Sequence, residues 1–188
     1  MYSVILPKCH PIVQQNANIN WINSWKNVHF RYINIHEREI AFKFLHNILP
    51  YRLKLYKMKR ADSPLCELCE INEDKTHMFI ECIKVGSLLA FFKTKLKAVC
   101  NINNIDGLGI DKTLHFDFNE ISKKDRHAAI LLTTAYISTV WFNRDLRTSI
   151  TLSSYKSTIM KHKYLMSLVL DSKMTEVFST KYCNEEFL

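Results

Sequence analysis

Four side chains constrain this fold more than any others: Cys66, Cys69, His77 and Cys82, spaced C-x2-C-x7-H-x4-C within 17 residues. Two cysteines separated by two residues form a tight turn whose thiolates can face one ion. A histidine and a cysteine five positions apart can complete a tetrahedron from the first turns of a helix. Thiolates and neutral imidazole are the ligand set of structural zinc sites, with every position filled by protein. The plainer alternative is a set of packed thiols beside an exposed histidine. With four protein ligands, no position remains for a catalytic water, so a zinc ion here is expected to hold structure. Cys9, Cys100 and Cys183 have no partner at ligand spacing and read as packed or free thiols, and His46 and His127 as ordinary helix histidines.

The rest of the chain points to helices. Only 3 glycines and 4 prolines occur in 188 residues, too few for the turns of an all-β sandwich or barrel. A 47% hydrophobic, 23% charged composition is that of a folded globular protein and excludes collagen or a long disordered tail. After Pro7, Pro11 and the Asn/Gln-rich run 14–20, Trp21, Trp25 and Val28 recur at helical spacing as packing anchors. Ile40, Phe44, Leu45 and Ile48 predict a helix from about His36 to Leu49, stopped by Pro50. Leu88, Leu89, Phe92, Leu96 and Val99 predict another over 85–99. Two more are expected over 122–147, with Ile130, Thr134, Ile137 and Trp141 on one face, and over 154–170, with Ile159, Leu165, Met166 and Val169 apolar. Residues 114–118, LHFDF, alternate like a short strand. The last ten residues are expected to fray.

The expected fold is therefore mostly α: a small helical zinc-binding module followed by a helical C-terminal region. Its parts are an N-terminal linker with a short helix (1–30), the module (31–100), a linker (101–121) and the C-terminal region (122–188). The run Asn101–Gly109 holds two of the three glycines and is the best hinge. The most apolar stretch, 128–142, is 15 residues long and interrupted by Thr133, Thr134, Ser138 and Thr139, too short and polar to span a bilayer. No leader-like segment is visible at the N-terminus, so an intracellular protein with reduced cysteines is expected.

The net charge is +8, which suits nucleic acid or an acidic surface. Its focus is Arg52, Lys54, Lys57, Lys59 and Arg60, five basic residues in nine with no acid among them. On a helix these residues spread around the axis while Leu53 and Tyr56 turn inward. Three thiolates and Zn²⁺ sum to about −1, and Glu67, Glu70, Glu73, Asp74 and Glu81 add to this against Lys75 alone. The metal loop is thus a poor phosphate binder, and contacts are expected from its basic flanks, 52–60 and 84–97. A merely solvated basic face is the alternative. Tyr51 and Tyr56 are candidates for base stacking, or else core-edge residues.

The segment Phe44-Leu45-His46-Asn47-Ile48-Leu49-Pro50, a Leu-and-basic stretch, Cys66-x2-Cys69, and Glu73-x3-His77-x4-Cys82 with Phe79 just after the histidine together resemble the reverse transcriptase zinc-binding domain. That domain lies C-terminal to the polymerase of non-LTR, LINE-like retrotransposon proteins. The match covers about residues 30–100, and Trp141-Phe142-Asn143-Arg144 is similar to a Trp-x-x-Arg helix end found downstream. Where the family has a tryptophan in the first helix, this chain has Ala41 and Phe42, and the aromatic after the last cysteine is matched loosely by Phe91 and Phe92.

The resemblance implies zinc at Cys66, Cys69, His77 and Cys82, an RNA or DNA partner, an upstream reverse transcriptase domain and nuclear residence. No Asp-Asp pair occurs, nor a nuclease carboxylate set, and polymerase chemistry needs carboxylates that hold two divalent ions. The expectation is a non-catalytic nucleic-acid-binding module from the C-terminal part of such a protein. A zinc-braced protein–protein docking module, or a relic without selected function, are the alternatives.

Overall fold

A computed structural model describes residues 18–100, 109–144 and 150–168. The fold is mostly α. Its helices are α1 (Trp21–Val28), α2 (Ile35–Leu45), α3 (Arg52–Lys57), a π turn (His77–Glu81), α4 (Gly86–Cys100), α5 (Ile110–Leu114), α6 (Lys123–Phe142) and α7 (Leu152–Leu168). Among the described residues there is no strand, only an isolated antiparallel bridge between Leu65 and Asn72. None of the described helices is long and apolar enough to cross a membrane.

Helix α6 is the axis of the fold, packed against α2, α4 and α7. Every residue from Ala128 to Val140 is buried, so the helix has no solvent face there. Ile130, Thr134 and Ile137 are buried on the expected common face, with Trp141 half-buried, and Thr133, Ser138 and Thr139 are inside as well. Thr134 is accommodated by donating its hydroxyl to the Ile130 carbonyl at 2.8 Å. Ser122 caps the helix, accepting the Asp125 amide at 3.2 Å. On α4, Leu88, Leu89, Phe92, Leu96 and Val99 are all buried as the spacing predicts, and Phe92 stacks on Tyr136 with centroids 4.7 Å apart. On α7, Tyr155, Ile159 and His162 face inward, while Leu165 is half-buried. The side chains of Met166 and Val169 lie outside the described residues.

Helices in this glycine-poor chain end on other residues. Asn47, Lys59 and Phe116 all take positive φ, +50°, +56° and +59°. At each, two reverse bonds close the helix end: Ile48 N to Lys43 O and Asn47 N to Phe44 O in the first case. The same pair recurs as Arg60 to Leu55 with Lys59 to Tyr56, and as Asp117 to Lys112 with Phe116 to Thr113. These are Schellman ends, usually built on glycine.

Three expectations change accordingly. Helix α2 stops at Leu45, and Ile48 is 49% exposed rather than on its buried face. Residues 114–118 are not a strand, because Phe116 turns left-handed and closes α5. Of the expected 101–121 linker, 101–108 lies outside the described residues, while Leu114, Phe116, Phe118 and Ile121 are buried in the same core as α2, α4 and α6. Asn27 Nδ2 to Phe116 O, 2.8 Å, and Asn20 N to Asp117 Oδ2, 2.9 Å, pin α1 to this turn. The start of the chain, its last residues, Cys9, Cys183, the Cys100 side chain and residues 145–149 also fall outside the described set.

Candidate metal centre

Local backbone chemistry brings the four ligands together. Around Cys66 and Cys69 the chain folds back on itself, with Cys66 N donating to Ile71 O at 2.8 Å and Glu70 N to Cys66 O at 3.0 Å. Glu70 takes a left-handed φ of +54° to complete this turn. The amides of Leu68 and Cys69 point at the Cys66 sulfur, and the Lys84 amide points at the Cys82 sulfur. Cys66-Glu67-Leu68 and Cys82-Ile83-Lys84 are thus two turns of one kind, each aiming the amide two residues on at its own thiol. Backbone donors of this sort favour the thiolate.

Histidine 77 and Cys82 meet through the π turn. Five residues advance an α-helix by about 500°, which would leave the two about 140° apart. The wider turn corrects this, and the Cys82 amide donates to the His77 carbonyl at 2.8 Å, an i+5 to i bond. Asp74 Oδ1 accepts the His77 amide at 2.8 Å and fixes the start of the turn. Met78 and Phe79 are buried, and the Phe79 carbonyl accepts the Tyr136 hydroxyl at 2.6 Å. The site is therefore fastened to α6 by both packing and a hydrogen bond.

The four ligand atoms all lie within 4.8 Å of one another, so the cluster can hold a metal ion. Cys66 and Cys82 sulfurs are 3.9 Å apart, and those of Cys69 and Cys82 are 3.7 Å apart. Both ring nitrogens of His77 are buried without a hydrogen-bond partner among the described residues, and the residue is 1% exposed. A buried polar atom with no partner is costly; a metal ligand bond removes that cost for one of the two. Burial pushes the Cys66 thiol up, but the Leu68 and Cys69 amides and the adjoining His77 and Cys82 side chains outweigh it and bring it below its usual range, to about 7. Burial dominates at Cys82 and, with the neighbouring sulfurs, drives it up to about 12.

Glu73 has a role that its spacing alone did not disclose. Its carboxylate accepts the Arg52 amide at 3.1 Å and its carbonyl accepts the Leu53 amide at 3.1 Å. It therefore caps α3 and holds the basic helix against the metal loop.

The five basic residues separate into two groups. Arg52 is paired with Glu67 of the metal loop, and Lys54 Nζ donates to the Asn47 carbonyl at 3.0 Å. Lys57, Lys59 and Arg60 are exposed, with no acidic partner among the described residues. Tyr56 is 47% exposed, which corrects the expectation that it turns inward, and Leu53 is half-buried. Tyr51 is instead the buried tyrosine, 3% exposed, and not available for stacking. His46 lies just past α2 against Trp25, 4.5 Å between centroids, and His127 stacks on Phe30 at 4.8 Å.

Comparison of the chain with protein-family models, with curated proteins and with solved structures finds no match. Fold and cluster together define a helical protein with a Cys3His cluster placed so that it could hold a metal ion.

Proposed function

We propose that this chain is a zinc-stabilised, non-catalytic nucleic-acid-binding module, related to the zinc-binding region that follows the polymerase in non-LTR retrotransposon reverse transcriptases. The observation that carries the reading is the convergence of three thiols and one imidazole in a chain that has already built the surrounding turns. A tetrahedral zinc with Zn–S bonds of about 2.3 Å has sulfur–sulfur edges of about 3.8 Å. The 3.9 and 3.7 Å separations fit that figure, and three sulfurs with one nitrogen are the donors zinc favours over harder ions. Cys66, Cys69, His77 and Cys82 would hold the ion, which would lock the metal loop to α6 and, through Glu73, set the position of α3.

Nucleic acid would be held chiefly by phosphate neutralisation. Lys57, Lys59 and Arg60 carry most of this part, since Arg52 is paired with Glu67 and Lys54 spends one of its donors on Asn47. In a complete element such a module would help the polymerase domain grip template RNA or target DNA in the nucleus.

The experiment is a salt titration of binding to single-stranded RNA. Replacing Lys57, Lys59 and Arg60 by Gln is expected to weaken binding and to flatten the salt slope by about 2, at about 0.7 per lost phosphate contact on a single strand. Replacing Arg52 and Lys54 should change the slope less. A slope untouched by the triple change places the contact surface elsewhere, and absence of salt-dependent binding removes the nucleic-acid part of the proposal.

A further inference from the structure

A cavity of about 450 Å³ lies between α3, the chain just before the π turn, and α5. Its size is that of a small-molecule site. Three lysines from two parts of the chain line it: Lys54 and Lys57 from α3, and Lys75 from the metal loop. Asp74 and Asp111 are the acids in the wall, and the Tyr51 hydroxyl, buried there, has no hydrogen-bond partner among the described residues.

Lys75 is held in place rather than free to swing. Its Nζ is 2.8 Å from His115 Nε2, and His115 Nδ1 is 2.7 Å from the Asp111 carbonyl. A carbonyl only accepts, so the proton sits on Nδ1 and Nε2 is left to accept from Lys75. The same nitrogen stands 4.7 Å over the Phe44 ring. An ammonium has three donors; Lys75 uses one on His115, and Lys54 uses one on Asn47. Both retain donors for a ligand.

We propose that this cavity binds the sugar–phosphate unit of a nucleotide, the phosphate against Lys54, Lys57 and Lys75 and the sugar hydroxyls donating to Asp74 and Asp111. Three cations against two carboxylates select an anion, while the carboxylates demand a ligand that also carries donors. Bare phosphate satisfies the first condition and an uncharged nucleoside the second; a nucleotide meets both. Asp74 keeps an oxygen for this, because only Oδ1 is engaged by the His77 amide. The unit can come from a free nucleotide or from a strand held along α3. Only the second source rests on the nucleic-acid reading.

The test uses the full metal-loaded chain and a limiting amine-acetylating reagent, with the rate at each lysine read by peptide mass spectrometry. Uridine 5′-monophosphate is expected to slow acetylation of Lys57 and Lys75 and to leave Lys59, which lies outside the cavity, unchanged. Uridine should protect neither. Lys57→Glu, at an exposed position that folding tolerates, should raise the half-protecting concentration at Lys75 about tenfold, the loss of one charge-assisted contact; Lys59→Glu should not move it.

Protection of Lys75 by oligouridylate as well identifies a strand as a source, and protection by the mononucleotide without salt-dependent strand binding leaves the free nucleotide. Equal protection by uridine overturns the phosphate assignment. An oligouridylate that binds with a salt slope while neither it nor the mononucleotide protects Lys75 overturns the cavity proposal and leaves the basic-face reading standing.

Discussion

The Tyr136 hydroxyl donates to the Phe79 carbonyl at 2.6 Å, joining the buried centre of α6 to the turn that carries His77 and Cys82. Both residues are fully buried. Tyr136→Phe leaves that carbonyl without a partner and is expected to destabilise the fold by about 1–3 kcal/mol. Because the bond fixes the turn between two ligands, the variant should also surrender bound metal to a chelator faster than the parent. Urea unfolding and chelator-exchange rates measure the two effects, and normal metal retention in a destabilised variant would confine the bond to the core.

A second buried link spans 125 positions: His162 Nε2 lies 2.7 Å from Glu37 Oε2, connecting α7 to α2 with both side chains almost wholly inside. His162→Leu leaves the buried Glu37 side chain without its partner, and a loss of about 1–3 kcal/mol is expected. The double change Glu37→Leu, His162→Leu should recover much of it, since removing both partners avoids the stranded carboxylate. Equal losses in the single and double variants would show that packing, not the polar pair, sets the cost.

His115 makes stability depend on pH. Burial and the Lys75 charge lower it to about 4 from 6.5, against the opposing Asp111 contacts. Between those values the unfolded chain binds a proton that the folded chain does not, so stability is full above about 6.5 and falls as pH drops toward 4. The window spans about 2.5 units, up to about 3 kcal/mol. Lys75 is itself lowered to about 8, by burial more than Asp111 can offset. His115→Gln should flatten the difference in unfolding free energy between pH 7 and 5 relative to the parent. Parallel pH profiles for the two proteins contradict this origin.

At Lys59 the helix end can be improved. The residue is exposed and sits at φ +56°, where a side chain costs about 1 kcal/mol that glycine avoids. Lys59→Gly is expected to raise stability by about 0.5–1 kcal/mol in a denaturant titration. A lower stability would mean that the lysine makes a contact worth more than its strain.

Much of this architecture was legible beforehand, and the limits have physical reasons. The apolar face of α4 follows from Leu88, Leu89, Phe92, Leu96 and Val99, because that helix has a solvent side. Helix α6 has none between Ala128 and Val140, so the single face marked by Ile130, Thr134 and Ile137 understated how much of it is buried. The end of α2 was misplaced near Asn47, and the end of α5 at Phe116 was read as a strand, because both residues take a left-handed turn usually built on glycine. The Cys3His cluster was legible because its four residues are close in sequence and metal-ligand chemistry restricts spacing. The π turn that aligns His77 with Cys82, the Lys75–His115 contact and the cavity around it were not, since they depend on how distant segments meet.

The central claim is that the Cys3His cluster holds one structural zinc. Elemental analysis of the chain purified without added metal tests it most directly. The account predicts one equivalent of zinc per chain, lost on chelation together with helical signal because metal binding and folding are coupled at such sites, and lost likewise in Cys69→Ser. Folded, fully helical protein that carries no zinc and takes up none when it is supplied would contradict it.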